Sequence, residues 1–165
     1  MSRGISELME VLEKKRDALE CLQAILEEEK ELIIGLDSEG LQTNSSRKLQ
    51  ALEKITILSD RCRNAVADEC LKAGVSGGDA LSPLIAGLKQ PERDRISALQ
   101  RTLLSTARKN ERLLELNKSL LENSLSLVDR SLKFFSKFLT SGSTYGEAGR
   151  ILEVQAGARL VCKEI

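Results

Sequence analysis

The sequence predicts an all-α fold: an elongated antiparallel helical hairpin, a long third helix that completes a coiled-coil-like three-helix bundle, and a flexible C-terminal tail. Three observations carry this prediction. Apolar residues recur at helical spacing along most of the chain. The composition, with 30% charged residues, 2% aromatics and only two Pro in 165 residues, favours helices over a sheet sandwich. The stretch from Pro91 to Leu139 contains no Gly and no further Pro.

The elements follow in order. Ile5, Leu8, Leu12, Leu19, Leu22, Leu26 and Ile33 fit an a/d heptad, with Lys15 and Glu29 as polar exceptions. Ser6 suits an N-cap and Gly35 a stop, so the first helix spans about 6–34. The second helix, about 38–73, takes its stripe from Leu49, Leu52, Ile55, Cys62, Val66 and Ala73, with Ser59 interrupting and Gly74 ending it. So short a connection implies antiparallel neighbours. Residues 74–90 read as a connector in which Ser82-Pro83 opens one or two helical turns. The third helix, about 91–140, would run on the order of 75 Å if unbroken. Residues 141–165 hold Gly142, Gly146, Gly149 and Gly157 with no sustained apolar period, which suits a tail disordered on its own. The expected organisation is a helical bundle domain over 1–140 and a tail over 141–165.

The third helix carries two adjacent apolar rows, Leu113/Leu120/Leu127/Phe134 and Leu114/Leu121/Val128/Phe135. Together they make a face wider than a coiled-coil seam. Beside them Asn110, Asn117, Ser124 and Ser131 recur every seven residues. In one reading the apolar rows pack on the hairpin and the Asn/Ser row sets register at some cost in stability. In the other, part of the face is open and receives a partner's amphipathic helix. We read Leu99 to Leu114 as packed and the portion beyond Leu120 as partner-binding. The chain's aromatics, Phe134, Phe135, Phe138 and Tyr145, cluster there, at the end of the helix and the start of the tail.

Several function classes fit poorly. There is no His, so the commonest general base and the commonest neutral metal ligand are missing together. Cys21, Cys62, Cys70 and Cys162 show no Cys-x-x-Cys spacing and read as buried thiols in a reducing cytosol. With 25 basic and 25 acidic residues and no strongly basic stretch, nucleic-acid binding is not expected. No signal peptide and no span long enough to cross a bilayer is evident. We expect neither an enzyme, a metal site nor a cofactor.

Glu27-Glu-Glu-Lys-Glu-Leu-Ile-Ile-Gly-Leu-Asp, Leu49-Gln-Ala-Leu-Glu-Lys, Leu113-Leu-Glu-Leu-Asn117 and Ser143-Thr-Tyr-Gly-Glu-Ala-Gly149 together resemble the FlgN-like family of flagellar export chaperones over most of the chain. Family members often carry a second Asn, followed by Gly, three residues after the first; Leu120-Leu121 stands there instead. The resemblance implies a cytoplasmic protein that binds hook-associated (hook–filament junction) proteins and delivers them to the flagellar type III export gate. It assigns Asn117 to the cargo face and Tyr145, beside Gly146, to gate docking. Pattern and resemblance together nominate Leu113, Leu114, Asn117, Leu120, Leu121, Ser124, Leu127, Val128, Phe134 and Phe135 for cargo. The alternative is a structural coiled-coil protein that acts by self-association, as a homodimer.

Overall fold

The computed structural model describes residues 3–75 and 80–140 of the chain. Four α-helices make up the described residues: α1 (Arg3–Ile34), α2 (Ser38–Ala73), α3 (Leu81–Gly87) and α4 (Glu92–Thr140). The chain divides into two compact units, one of Met1–Leu121 and one beginning at Glu122, so the boundary falls inside α4.

In the first unit α1 is the central helix. Besides the a/d residues it buries Met9, Ala18 and Ile25, giving a stripe wide enough for two neighbours. Gly4 lies against Glu69 and Asn44 reaches Ile25, so α1 and α2 run antiparallel. The core cluster joins Ile5, Leu8 and Leu12 of α1, Val66 and Cys70 of α2, Leu84 and Ile85 of α3, and Ile96 and Leu103 of α4. Complete burial of a Leu such as Leu8 contributes roughly 2 kcal/mol. α3 thus plugs one end of the hairpin and delivers the chain to α4. It begins at Leu81 with Ala80 as an N-cap that offers no side-chain bond, so Ser82 and Pro83 lie inside it rather than capping it.

The helix ends differ from the sequence reading in instructive ways. α1 starts at Arg3, ahead of Ser6, where the Glu69 carboxylate packs over its first turn. A Cβ on Gly4 would sit 1.9 Å from Glu69 Oε1, so a larger residue there would make the Glu69 carboxylate shift from its place near the positive end of the helix. At the other end the left-handed residue is Leu36, with φ 54°, and not Gly35. Asp37 N donates to Leu32 O (3.0 Å) and Leu36 N to Ile33 O (3.2 Å), the paired bonds of a Schellman motif. Asp37 then caps α2 by accepting from Gly40 N at 2.9 Å. Gly74 closes α2 in the left-handed region with φ 65°, a conformation that suits Gly.

The α2 stripe is rotated from the expected one. Asn44, Leu58, Val66, Glu69 and Cys70 are buried, whereas Leu49, Leu52 and Ala73 are exposed, Leu49 at 69%. The reason is polar. Asn44 Nδ2 donates to Ile25 O at 3.1 Å, and Lys48 pairs with Glu29. Those bonds turn Leu49 about 140° from the Asn44 direction.

Leu36 is exposed and strained, so Leu36→Gly should raise the unfolding free energy by about 1 kcal/mol. Gly74→Ala should lower it by a similar amount. Urea denaturation of the two variants checks both signs.

Candidate protein-binding face on α4

Within the first unit α4 packs through a seam of alternating three- and four-residue steps. Ile96, Leu103, Thr106, Asn110 and Asn117 are buried, with Leu99, Leu113 and Leu120 partly buried between them. Asn110 Nδ2 donates to Leu19 O at 2.9 Å, and Asn117 Nδ2 donates to Leu26 O at 2.8 Å. Each pair of positions is one heptad apart, a rise of about 10.5 Å on either helix. Both bonds therefore form together only when α1 and α4 run parallel in this register. The helical carbonyls have a second lone pair with which to accept the amides.

These bonds are incomplete. Oδ1 of Asn44, Asn110 and Asn117 is buried with no hydrogen-bond partner among the described residues. An unmet buried acceptor costs roughly 1–3 kcal/mol. The Asn residues thus exchange some stability for a defined register, as a buried Asn does at a coiled-coil a position.

Glu29, the polar exception in the first heptad, joins three helices. Its carboxylate accepts from Lys48 Nζ of α2 and, at 2.9 Å, from Asn117 Nδ2 of α4. Glu29 is 7% exposed, and a buried carboxylate without such partners is costly. Glu29 and Asn117 also line a pocket of about 390 Å³ with Ile33, Lys48, Leu114, Glu115, Lys118 and Leu121. A larger groove of about 770 Å³ between α1 and α4 is edged by Glu20, Glu27, Arg101 and Lys109, and is too polar to attract an apolar helix face.

This rotation redistributes the nominated residues. Asn117 is turned inward, because Leu26 O and Glu29 claim its amide protons. Leu113 and Leu120 are half-buried, and Leu114 and Leu121 are exposed. The reading of Leu99 to Leu114 as packed therefore holds for Leu99, Leu103 and Leu113 but not for Leu104 and Leu114. In the second unit Ser124 is half-buried, and Leu127, Val128, Phe134 and Phe135 are exposed, the two rings meeting edge to face at 5.8 Å. Leu125, Leu132 and Leu139, which are not among the nominated residues, are exposed as well. Their signal was the alternating spacing of 121, 125, 128, 132, 135 and 139, a second a/d series beside the two rows. Tyr145 and Gly146 lie outside the described residues.

Exposed apolar side chains on this scale mark interaction surfaces in soluble proteins. The chemistry elsewhere is sparse. Cys21 is exposed, contrary to the expectation of buried thiols, while Cys62 is half-buried and Cys70 buried. Burial pushes the Cys62 thiol up, with Lys15 opposing, which leaves little thiolate for nucleophilic attack. Among the described residues no group of His, Cys, Asp and Glu could hold a metal ion. No described helix is long and apolar enough to cross a membrane.

Set against known protein families, residues 1–153 match the family described as FlgN protein. The chain belongs to the FlgN family. This is a family of flagellar export chaperones, so the FlgN-like chain is a chaperone of flagellar biogenesis whose partners are flagellar proteins. No curated protein and no solved structure matches it. The all-α architecture expected from the sequence is the one observed.

Asn117→Ala removes two hydrogen bonds and leaves Glu29 with Lys48 alone, and should lower the unfolding free energy by about 2 kcal/mol. Asn110→Leu removes its orphan acceptor along with its bond and should be nearly neutral. Denaturant titrations that rank the two the other way would contradict this account of the ladder.

Proposed function

We propose that this chain is a cytoplasmic export chaperone that holds hook-associated junction proteins through the outer face of α4 and presents them to the flagellar type III export gate. The carrying observation is the exposure of Leu121, Leu127, Val128, Phe134 and Phe135 together on one helix. In the first unit Leu114 is exposed and Leu113 and Leu120 are half-buried; in the second Ser124 is half-buried.

The physical logic is that of coupled folding. A junction protein whose terminal segments become helical only on assembly exposes apolar faces beforehand. A rigid helix with Leu, Val and Phe on its surface covers such a segment and blocks premature assembly. Ordering the segment costs several kcal/mol of the gross interaction energy, which keeps the complex specific yet releasable. Tyr145 and Gly146, in the following segment, dock at the export gate while α4 keeps hold of cargo.

The test is co-purification of junction proteins from a motile bacterium's lysate on the full-length chain. The triple variant Leu121→Asp, Val128→Asp, Phe135→Asp should lose bound cargo at least ten-fold, with helicity unchanged because all three side chains are exposed. Undiminished capture by that variant overturns the proposal. Tyr145→Ala should retain cargo and reduce secretion of junction proteins. The competing reading, self-association through the same face, is favoured instead if sedimentation shows a dimer that Leu121→Asp dissociates.

A further inference from the structure

In the second unit, the exposed residues of α4 form a narrower feature than a general apolar face. Leu125, Val128, Leu132, Phe135 and Leu139 follow one another in steps of three and four, and fall within an arc of about 80°. That is an a/d seam of coiled-coil type, and every member is at least half exposed. Its two edges differ chemically. Glu122, Asp129 and Ser136 stand on one edge, at the positions that flank a coiled-coil core, so the acids sit toward its N-terminal half. Ser131 and Phe138 stand on the other. The cations Arg130 and Lys137 fall on the far side of the helix, about 160–180° from the centre of the seam. Lys133 pairs with Asp129 at 2.6 Å, but both side chains are largely exposed and such a pair binds weakly. Asp129 therefore remains able to meet a second cation.

We propose that this seam receives an amphipathic helix from a different protein, one with Lys or Arg along the edge that faces Glu122 and Asp129. The proposal rests on the reading of α4 as the cargo-binding surface and adds a charge rule to it. A second copy of the chain fits poorly in either direction. Antiparallel copies set the acidic edges against each other, and parallel copies set the acidic edge against the Ser131 edge, which carries no charge. A helix with a basic edge gains attraction where a second copy gains repulsion or nothing. The acidic residues thus favour a basic-edged helix over a second copy, while the apolar seam supplies the affinity.

The experiment titrates the full-length chain with two synthetic helical peptides that share one Leu/Ile seam, the first with Lys at its flanking positions and the second with Glu there. The Lys peptide should bind about five-fold more tightly at low salt, and the preference should shrink at high salt. The double variant Glu122→Lys, Asp129→Lys should invert the preference. Equal affinities, or a preference for the Glu peptide, overturn the charge rule; if Leu132→Asp still abolishes binding of both peptides, α4 stands as the binding surface. Unchanged binding of the Lys peptide to Leu132→Asp places the site elsewhere and overturns both readings. A tight dimer in sedimentation that Leu132→Asp dissociates also overturns the proposal, since a second copy would then own the seam.

Discussion

The backbone carbonyls of α1 accept side-chain amides from both of its long neighbours, and the arrangement of the bundle depends on that. Asn44 of α2 reaches Ile25, while Asn110 and Asn117 of α4 reach Leu19 and Leu26. Helices that met only through Leu and Ile could slide or rotate at small cost, since apolar contacts are nondirectional. A hydrogen bond to a particular carbonyl cannot. The price is three buried Oδ1 atoms with no partner among the described residues. Glu29 reinforces the arrangement by drawing Lys48 from one side and Asn117 from the other.

A consequence is that α4 is two-faced. Its inward side is partly polar and committed to register. On its other side, Leu114 and Leu121 are left exposed in the first unit; the second unit, taken by itself, exposes Leu125, Leu132 and Leu139. The usual economy of a helical bundle would bury the greasier rows and expose the amides. Here, in the first unit, the amides are buried alongside Ile96 and Leu103 while Leu114 and Leu121 stay exposed, because an Asn that loses its carbonyl partner sacrifices more than a Leu left half in water.

The chain holds no His, and burial pushes the Cys62 thiol up. What it offers is shape, apolar area and a graded edge of charge. The Phe134–Phe135 pair concentrates contact area near the end of α4, where aromatic side chains supply large surface with few rotatable bonds.

The three long helices, the hairpin, the Gly74 stop and the uninterrupted α4 were legible in the residues, because heptad spacing and the placement of Gly and Pro are local properties. The FlgN family was legible too, through motifs spread along the chain. Rotation was not. The sequence shows that Asn117 lies beside the Leu rows, and hydrophobicity alone then buries Leu114, while Leu49 and Leu52 look like core. Only the tertiary structure decides otherwise, since the carbonyls that claim Asn44, Asn110 and Asn117 lie on a helix far away in the chain. Periodicity states which residues share a face; which face turns inward depends on a partner that the local sequence does not contain.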